Sequence, residues 1–194
     1  MQDPQILSEG GFGQITYPSA SPFEIHHILC KMDEAVEHPV FGSLLVPEEP
    51  SDGPMPCVVA VHGSLNWRGH HHEHIVRWLD AGICVFRVHS FDSRSVYSVV
   101  EDQMQVTHAM MLADCYQALR MLSTHHSIDE SRIGIAGWSL GGTVALYSAW
   151  EPIAESLAPA GERFAAHLPF YPAAHMRTEV QRWSEQPILA LHGS

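Results

Sequence analysis

The chain has 194 residues, with 10 Lys and Arg against 22 Asp and Glu, and a formal net charge of −12 at pH 7. The length predicts one globular domain, and 45% hydrophobic with 16% charged residues excludes a disordered chain. The charge argues against a nucleic-acid partner. No apolar run approaches the about 18 residues of a membrane span, and no signal peptide is visible at the start, so we expect no membrane association and a cytoplasmic location.

The first half of the chain predicts an arm, a hairpin and the start of an α/β domain. Glycines and prolines in residues 1–22 indicate an irregular N-terminal arm, so that the domain covers 23–194. Two apolar-rich segments predict an antiparallel hairpin, at 23–30 and 40–46. Further on we predict, in order, a buried strand at 57–61, a helix over 72–81 that ends at Gly82, and a buried strand at 83–88.

The second half continues the alternation of helices and strands. We predict a long helix over 101–123, a strand at 132–136, a helix over 141–150, a loop or lid over 151–163, and strands at 164–170 and 187–191. Short apolar strands that alternate with helices are typical of an α/β fold with a mostly parallel sheet.

The sequence Gly137-Trp-Ser-Leu-Gly-Gly142 lies between a predicted strand and a predicted helix. That is the context of the G-x-S-x-G nucleophile elbow, whose tight turn exposes the serine hydroxyl. Ser139 is therefore the candidate nucleophile. The backbone N–H of Leu140, at the start of the helix, is the first candidate donor to an oxyanion.

A second donor is expected in the turn His62-Gly63-Ser64 that follows the strand at 57–61, because a loop at this point supplies the other N–H in such folds. The N–H of Ser64 is the candidate. We interpret His62 as a structural residue rather than the base. The following Asn66, Trp67 and Arg68 either line the substrate pocket or form a solvated loop.

Histidines cluster at His70-His-His-Glu-His74, which matches the inverted zincin pattern H-x-x-E-H. We favour a hydrated helix start over a zinc site, because zinc needs a third ligand. No metal or organic cofactor is expected. The four cysteines form no C-x-x-C pair, and we interpret them as buried thiols.

The order of these segments resembles the dienelactone hydrolase family of the α/β-hydrolase superfamily. The resemblance covers about residues 40–194 and is carried by 56–63, 81–94, 128–142, 170–172 and 187–193. It implies the α/β-hydrolase fold, with a mostly parallel twisted sheet, helices on both faces and an N-terminal antiparallel hairpin. It also implies a small-molecule ester or lactone as substrate, cleaved through an acyl-enzyme on Ser139, with a homodimer left open.

Dienelactone hydrolases themselves use a cysteine nucleophile, so Ser139 points to a more general serine esterase or lactonase. The candidate substrate-binding residues are Trp138, Trp67, Phe91 and Arg94. For Arg94, a structural ion pair is the alternative to contact with a substrate carboxylate. For the three aromatic residues, packing in the core is an equally good explanation of their presence.

The resemblance places the triad Asp and His after the strand at 187–191, in the order Ser, Asp, His. We therefore expect both residues after Ser194, and expect the chain to lack its C-terminal strand and helix. Two other classes of function stay open: a non-catalytic binding protein of this fold, and a serine peptidase or acyltransferase.

Overall fold

The computed structural model describes residues 11–50 and 52–193, and its centre is a six-stranded sheet. The strands, in chain order, are β1 (Gly13–Ala20), β2 (Glu37–Leu45), β3 (Met55–Val61), β4 (Cys84–Val88), β5 (Ile128–Trp138) and β6 (His167–Phe170). Their spatial order is β1-β2-β4-β3-β5-β6. The pairs β1–β2 and β2–β4 are antiparallel, whereas β3–β4, β3–β5 and β5–β6 are parallel. The chain thus has the α/β-hydrolase type of sheet that was expected, with the hairpin at its N-terminal edge.

Helices cover both faces of this sheet. They are α1 (Ile25–Cys30), α2 (Gly69–Asp80), α3 (His108–Leu122), α4 (Leu140–Tyr147) and α5 (Glu151–Leu157). Alternate residues of β3 point to opposite faces, so Val59 and Val61 join the larger core with α3, α4 and α5, whereas Ala60 joins a smaller core with Ile75 of α2. In the described ranges, no helix combines the length and apolar character needed to cross a bilayer.

The N-terminal part differs from the prediction in two places. Residues 13–20 form β1 rather than an irregular arm, and Pro18 is tolerated there because β1 is an edge strand. Residues 23–30, predicted as the first strand of the hairpin, contain α1, which buries only Ile28. The hairpin itself is present, but its first strand is β1. The remainder of the predicted arm, residues 1–10, lies outside the described residues.

One helix prediction was wrong at its start, and one segment predicted as a loop contains a helix. The helix predicted from residue 101 begins only at His108, because the Thr107 hydroxyl caps α3 by accepting the Met110 N–H at 3.3 Å. The segment predicted as a loop or lid over 151–163 contains α5, and Pro152 lies in the first turn of that helix, where a missing N–H costs nothing.

The last predicted strand, at 187–191, runs parallel to β6. It pairs with β6 at two separate bridges, between His167 and Ile188 and between Phe170 and Leu191. The Leu189 N–H donates to the His167 carbonyl at 2.9 Å, and the Tyr171 N–H donates to the Leu191 carbonyl at 2.6 Å. The predicted strands at 57–61, 83–88 and 132–136 and the helix over 72–81 are confirmed within a few residues.

Candidate active site

Ser139 lies in the turn between β5 and α4, with its side chain exposed to solvent. Its backbone has φ 54° and ψ −111°, a conformation that L-residues rarely adopt. The turn is held from both sides, since the Ser139 N–H donates to the Phe170 carbonyl at 3.0 Å and the Ser139 carbonyl accepts the Thr143 N–H at 2.9 Å. The strand-turn-helix context predicted for the serine is therefore present.

Glycines allow the backbones around this turn to pack together. A Cβ on Gly137 would overlap the carbonyl oxygen of Gly141, and a Cβ on Gly141 would overlap the carbonyl oxygens of Val61 and His62. The turn therefore packs directly against the end of β3 with no side chain between them. This close approach explains why the motif needs glycine two residues after the serine.

The loop after β3 lies beside Ser139. A Cβ on Gly63 would lie 3.1 Å from the Trp138 carbonyl oxygen and 3.4 Å from Ser139 Cβ. Among the described residues, the N–H groups of Ser64 and Leu140 donate to no backbone acceptor. Both candidate donors are therefore free to bind a ligand beside the serine hydroxyl.

His62 supports this loop from inside the protein. Its side chain is fully buried, its Nδ1 lies 3.0 Å from the Gly63 carbonyl oxygen, and its ring packs edge-on against Phe91. Burial lowers the pKa of His62 to about 4. A neutral imidazole with hydrogen on Nδ1 satisfies the carbonyl, as the structural interpretation of His62 expects.

Two cavities meet at Ser139, and Ser64 lines both of them. One, of about 310 Å³, has mostly apolar walls from Leu65, Val100, Trp138 and Tyr171, with Arg68, His70 and His71 also lining it. The other, of about 320 Å³, is lined by Phe23, Met104, Leu140 and the polar side chains of Glu24, Gln103 and His108, among others. Both cavities thus border Ser139.

The other predicted substrate-binding residues lie behind the cavity wall. Trp67 packs edge-on against Trp138 and carries the Arg87 guanidinium over its ring at 4.5 Å. Phe91 is fully buried. Arg94 forms an ion pair with Asp114, in which Nη1 lies 2.7 Å from Oδ2. Neither Trp67, Phe91 nor Arg94 lines a cavity at Ser139.

The His-rich segment forms the start of α2. His71 is buried, and its Nδ1 accepts the Arg68 N–H at 2.9 Å, which caps the helix. Burial and the neighbouring His70 lower the pKa of His71 to about 3. The ring of His74 packs on Trp138 and Phe170. Residues 11–50 and 52–193 contain no group of three or more His, Cys, Asp or Glu that could hold a metal ion.

The imidazoles of His108 and His175 line the second cavity beside Ser139. Neither was proposed from the sequence as a site residue, and His108 begins α3, a helix predicted to start earlier. Within the described part of the chain, neither ring is hydrogen-bonded to the Ser139 hydroxyl. His167 lies at the far end of β6, where its Nδ1 contacts the Ser148 hydroxyl at 2.9 Å.

Comparisons with known proteins agree with this fold. A family model described as an α/β-hydrolase fold matches residues 107–191. No curated protein matches the sequence.

Solved structures similar to the chain include esterases and a dienelactone hydrolase. Esterase 2 of Thermogutta terrifontis is 16% identical with a TM-score of 0.55, over 74% of this chain and 54% of the esterase. A Klebsiella pneumoniae protein assigned as a dienelactone hydrolase is 16% identical with a TM-score of 0.52, over 91% and 71%. An acetyl xylan esterase from Paenibacillus sp. R4 is 20% identical with a TM-score of 0.51, over 82% and 49%. The chain spans about half the length of the two esterases.

Proposed function

Since the chain has the α/β-hydrolase fold, we propose that it is a dienelactone hydrolase-like serine hydrolase that cleaves a carboxylic ester or lactone through an acyl-enzyme on Ser139. The observation that carries the proposal is the exposed Ser139, held at φ 54° between β5 and α4. The free N–H groups of Ser64 and Leu140 lie in the segments that border it. Esterases among the similar structures support the same reaction class.

The reaction follows from these groups. The Ser139 hydroxyl oxygen attacks the ester carbonyl carbon, while its proton passes to the triad histidine that the family resemblance implies. The carbonyl oxygen becomes an oxyanion that accepts hydrogen bonds from the Ser64 and Leu140 N–H groups, each worth about 3 kcal/mol. The leaving alcohol takes the proton and departs. Water then attacks the acyl-enzyme, which releases the acid and restores the serine.

The two cavities indicate what kind of ester fits. An ester has one group on each side of its carbonyl carbon, and two cavities border Ser139. Volumes of about 310 and 320 Å³ suit small-molecule groups rather than a long polymer chain. The substrate is therefore a small ester or lactone.

The test is covalent labelling of the intact native protein with a fluorophosphonate, together with hydrolysis of a short-chain p-nitrophenyl ester. We expect Ser139→Ala to lose both the label and the hydrolysis while the protein stays folded. The matched control is Ser131→Ala, an exposed serine at the other end of β5, which should retain both. Labelling that persists in Ser139→Ala would refute the assignment. Binding of esters without turnover would favour the non-catalytic alternative.

A further inference from the structure

Asn66 and Asp92 form a hydrogen-bonded pair in the loops beside Ser139. We infer that this pair positions the Ser64 N–H for the oxyanion, so that Asn66 and Asp92 are positioning residues of the site. The inference rests on the proposed function, because it concerns the orientation of the same oxyanion donor. It begins from Asn66 Nδ2, which donates to Asp92 Oδ1 at 2.7 Å.

Asp92 is itself fixed from the sheet side. Its Oδ2 lies 3.1 Å from His89 Nδ1, and His89 Nε2 lies 3.1 Å from the Ser43 hydroxyl on β2. A carboxylate only accepts, so His89 Nδ1 carries the hydrogen, and Nε2 then accepts from Ser43. This relay connects the second strand of the sheet to the loop after β3.

The position of Asn66 decides where the Ser64 N–H points. The Asn66 N–H donates to the Gly63 carbonyl oxygen at 2.9 Å. The Gly63 carbonyl and the Ser64 N–H belong to one planar trans peptide and point in opposite directions. The contacts that fix the direction of the Gly63 carbonyl therefore also fix the direction of the Ser64 N–H. His62 Nδ1 holds the same carbonyl from the buried side.

Asn66 needs stabilising side-chain contacts because its backbone conformation is uncommon. Its φ is 64°, a left-handed value that asparagine and aspartate tolerate better than most residues. Its own Oδ1 accepts the Trp67 N–H at 2.8 Å, which leaves Nδ2 to reach Asp92. The side chain of Asn66 thus ties a strained turn to a fixed carboxylate.

The chain allows the pair to be tested by exchange. In Asn66→Asp, two carboxylates face each other at a hydrogen-bonding distance, and the loop must move apart. In the double variant Asn66→Asp/Asp92→Asn, the new amide donates to the new carboxylate, and its oxygen still accepts from His89. Aspartate at 66 also keeps the acceptor for Trp67, so the exchange reverses one hydrogen bond and preserves the rest.

We expect kcat for a p-nitrophenyl ester to fall about 10-fold in Asn66→Asp with KM changed less than about 2-fold, because oxyanion bonds form in the transition state. Loss of a whole donor costs about 10²–10³-fold, so a displaced donor costs less. The double exchange should recover kcat to within about 3-fold of the unaltered protein. The control is Asp129→Asn, whose carboxylate also binds neighbouring side chains but lies at the opposite end of β5 from Ser139.

A second readout does not depend on catalysis. The ¹⁵N–¹H resonance of the Ser64 amide should shift in Asn66→Asp and return in the double exchange. Unchanged resonances and kcat in Asn66→Asp would overturn the inference, and so would a kcat that stays low in the double exchange. A shifted amide with unchanged kcat would overturn its catalytic part. Failure of the proposed function is distinguishable, because it removes labelling of Ser139 in the unaltered protein.

Discussion

The guanidinium of Arg94 and the carboxylate of Asp114 form a buried ion pair, with Nη1 2.7 Å from Oδ2 and Nη2 3.0 Å from Oδ1. The Asp114 side chain has no solvent exposure, and its Oδ1 also accepts the Ser19 hydroxyl at 2.6 Å. The pair joins the loop after β4 to α3 and to the edge strand β1. Arg94 therefore serves the packing of these elements in this structure, which was the alternative to a contact with substrate.

Removing the arginine leaves the carboxylate buried without its charge partner. We expect Arg94→Gln to lower the free energy of unfolding by about 3–5 kcal/mol, measured by urea denaturation. The double variant Arg94→Gln/Asp114→Asn should recover part of that loss, because the second change removes the unpaired charge. A variant Arg94→Gln with unchanged stability and a higher KM for a carboxylated ester would instead make Arg94 a substrate-binding residue.

The turn at Ser139 tolerates no side chain at Gly141. We expect Gly141→Ala to cost about 3 kcal/mol or more in unfolding free energy, because its Cβ overlaps two backbone carbonyl oxygens that cannot rotate away. Gly69→Ala, at the start of α2, is the matched control, since a Cβ there meets nothing within 4 Å. It should change stability by less than about 1 kcal/mol. Equal losses in the two variants, measured by thermal unfolding, would contradict the packing argument.

The sequence predicts the central elements well because their signals are local. β3 and β4 are continuous apolar runs, as strands buried on both faces must be. β1 was missed because its glycine and Pro18 resemble an irregular segment, and only its pairing with β2 makes it a strand. The start of α3 was misplaced because the helix begins at the Thr107 cap, whereas the apolar pattern continues to earlier residues.

The same distinction between local and long-range signals applies to the candidate site. Ser139, Leu140 and Ser64 are readable because a turn between a strand and a helix is encoded by adjacent residues. The partner of Arg94 lies 20 residues further along the chain, and the partner of Asn66 lies 26 residues further. Such pairs depend on how the loops meet above the sheet, and no spacing rule in the sequence predicts them.

His175 is the imidazole that most needs a test, because it lines the same cavity as Ser139. Its backbone N–H donates to the Tyr147 hydroxyl at 3.1 Å, and its ring lies edge-on to the Tyr147 ring. A general base contributes about 10²–10⁴-fold to the rate and is oriented by a third group. We therefore expect His175→Gln to lower kcat by less than about 10-fold on the intact native protein. A loss above about 100-fold, with a flattened pH profile, would identify His175 as the base.

Two buried imidazoles make the fold sensitive to acid. Burial lowers the pKa of His62 and of His167 to about 4, against an ordinary value of 6.5. Below pH 6.5 the unfolded chain binds protons that the folded chain does not, so stability falls as the pH drops toward 4. The loss is about 2 kcal/mol for each group at pH 5. In His167→Gln, the decrease in unfolding free energy between pH 7 and 5 should be smaller by that amount. The unaltered protein is the reference for this comparison. Equal pH dependence in the unaltered protein and in His167→Gln, from urea denaturation at each pH, would show that His167 is not kept neutral by the fold.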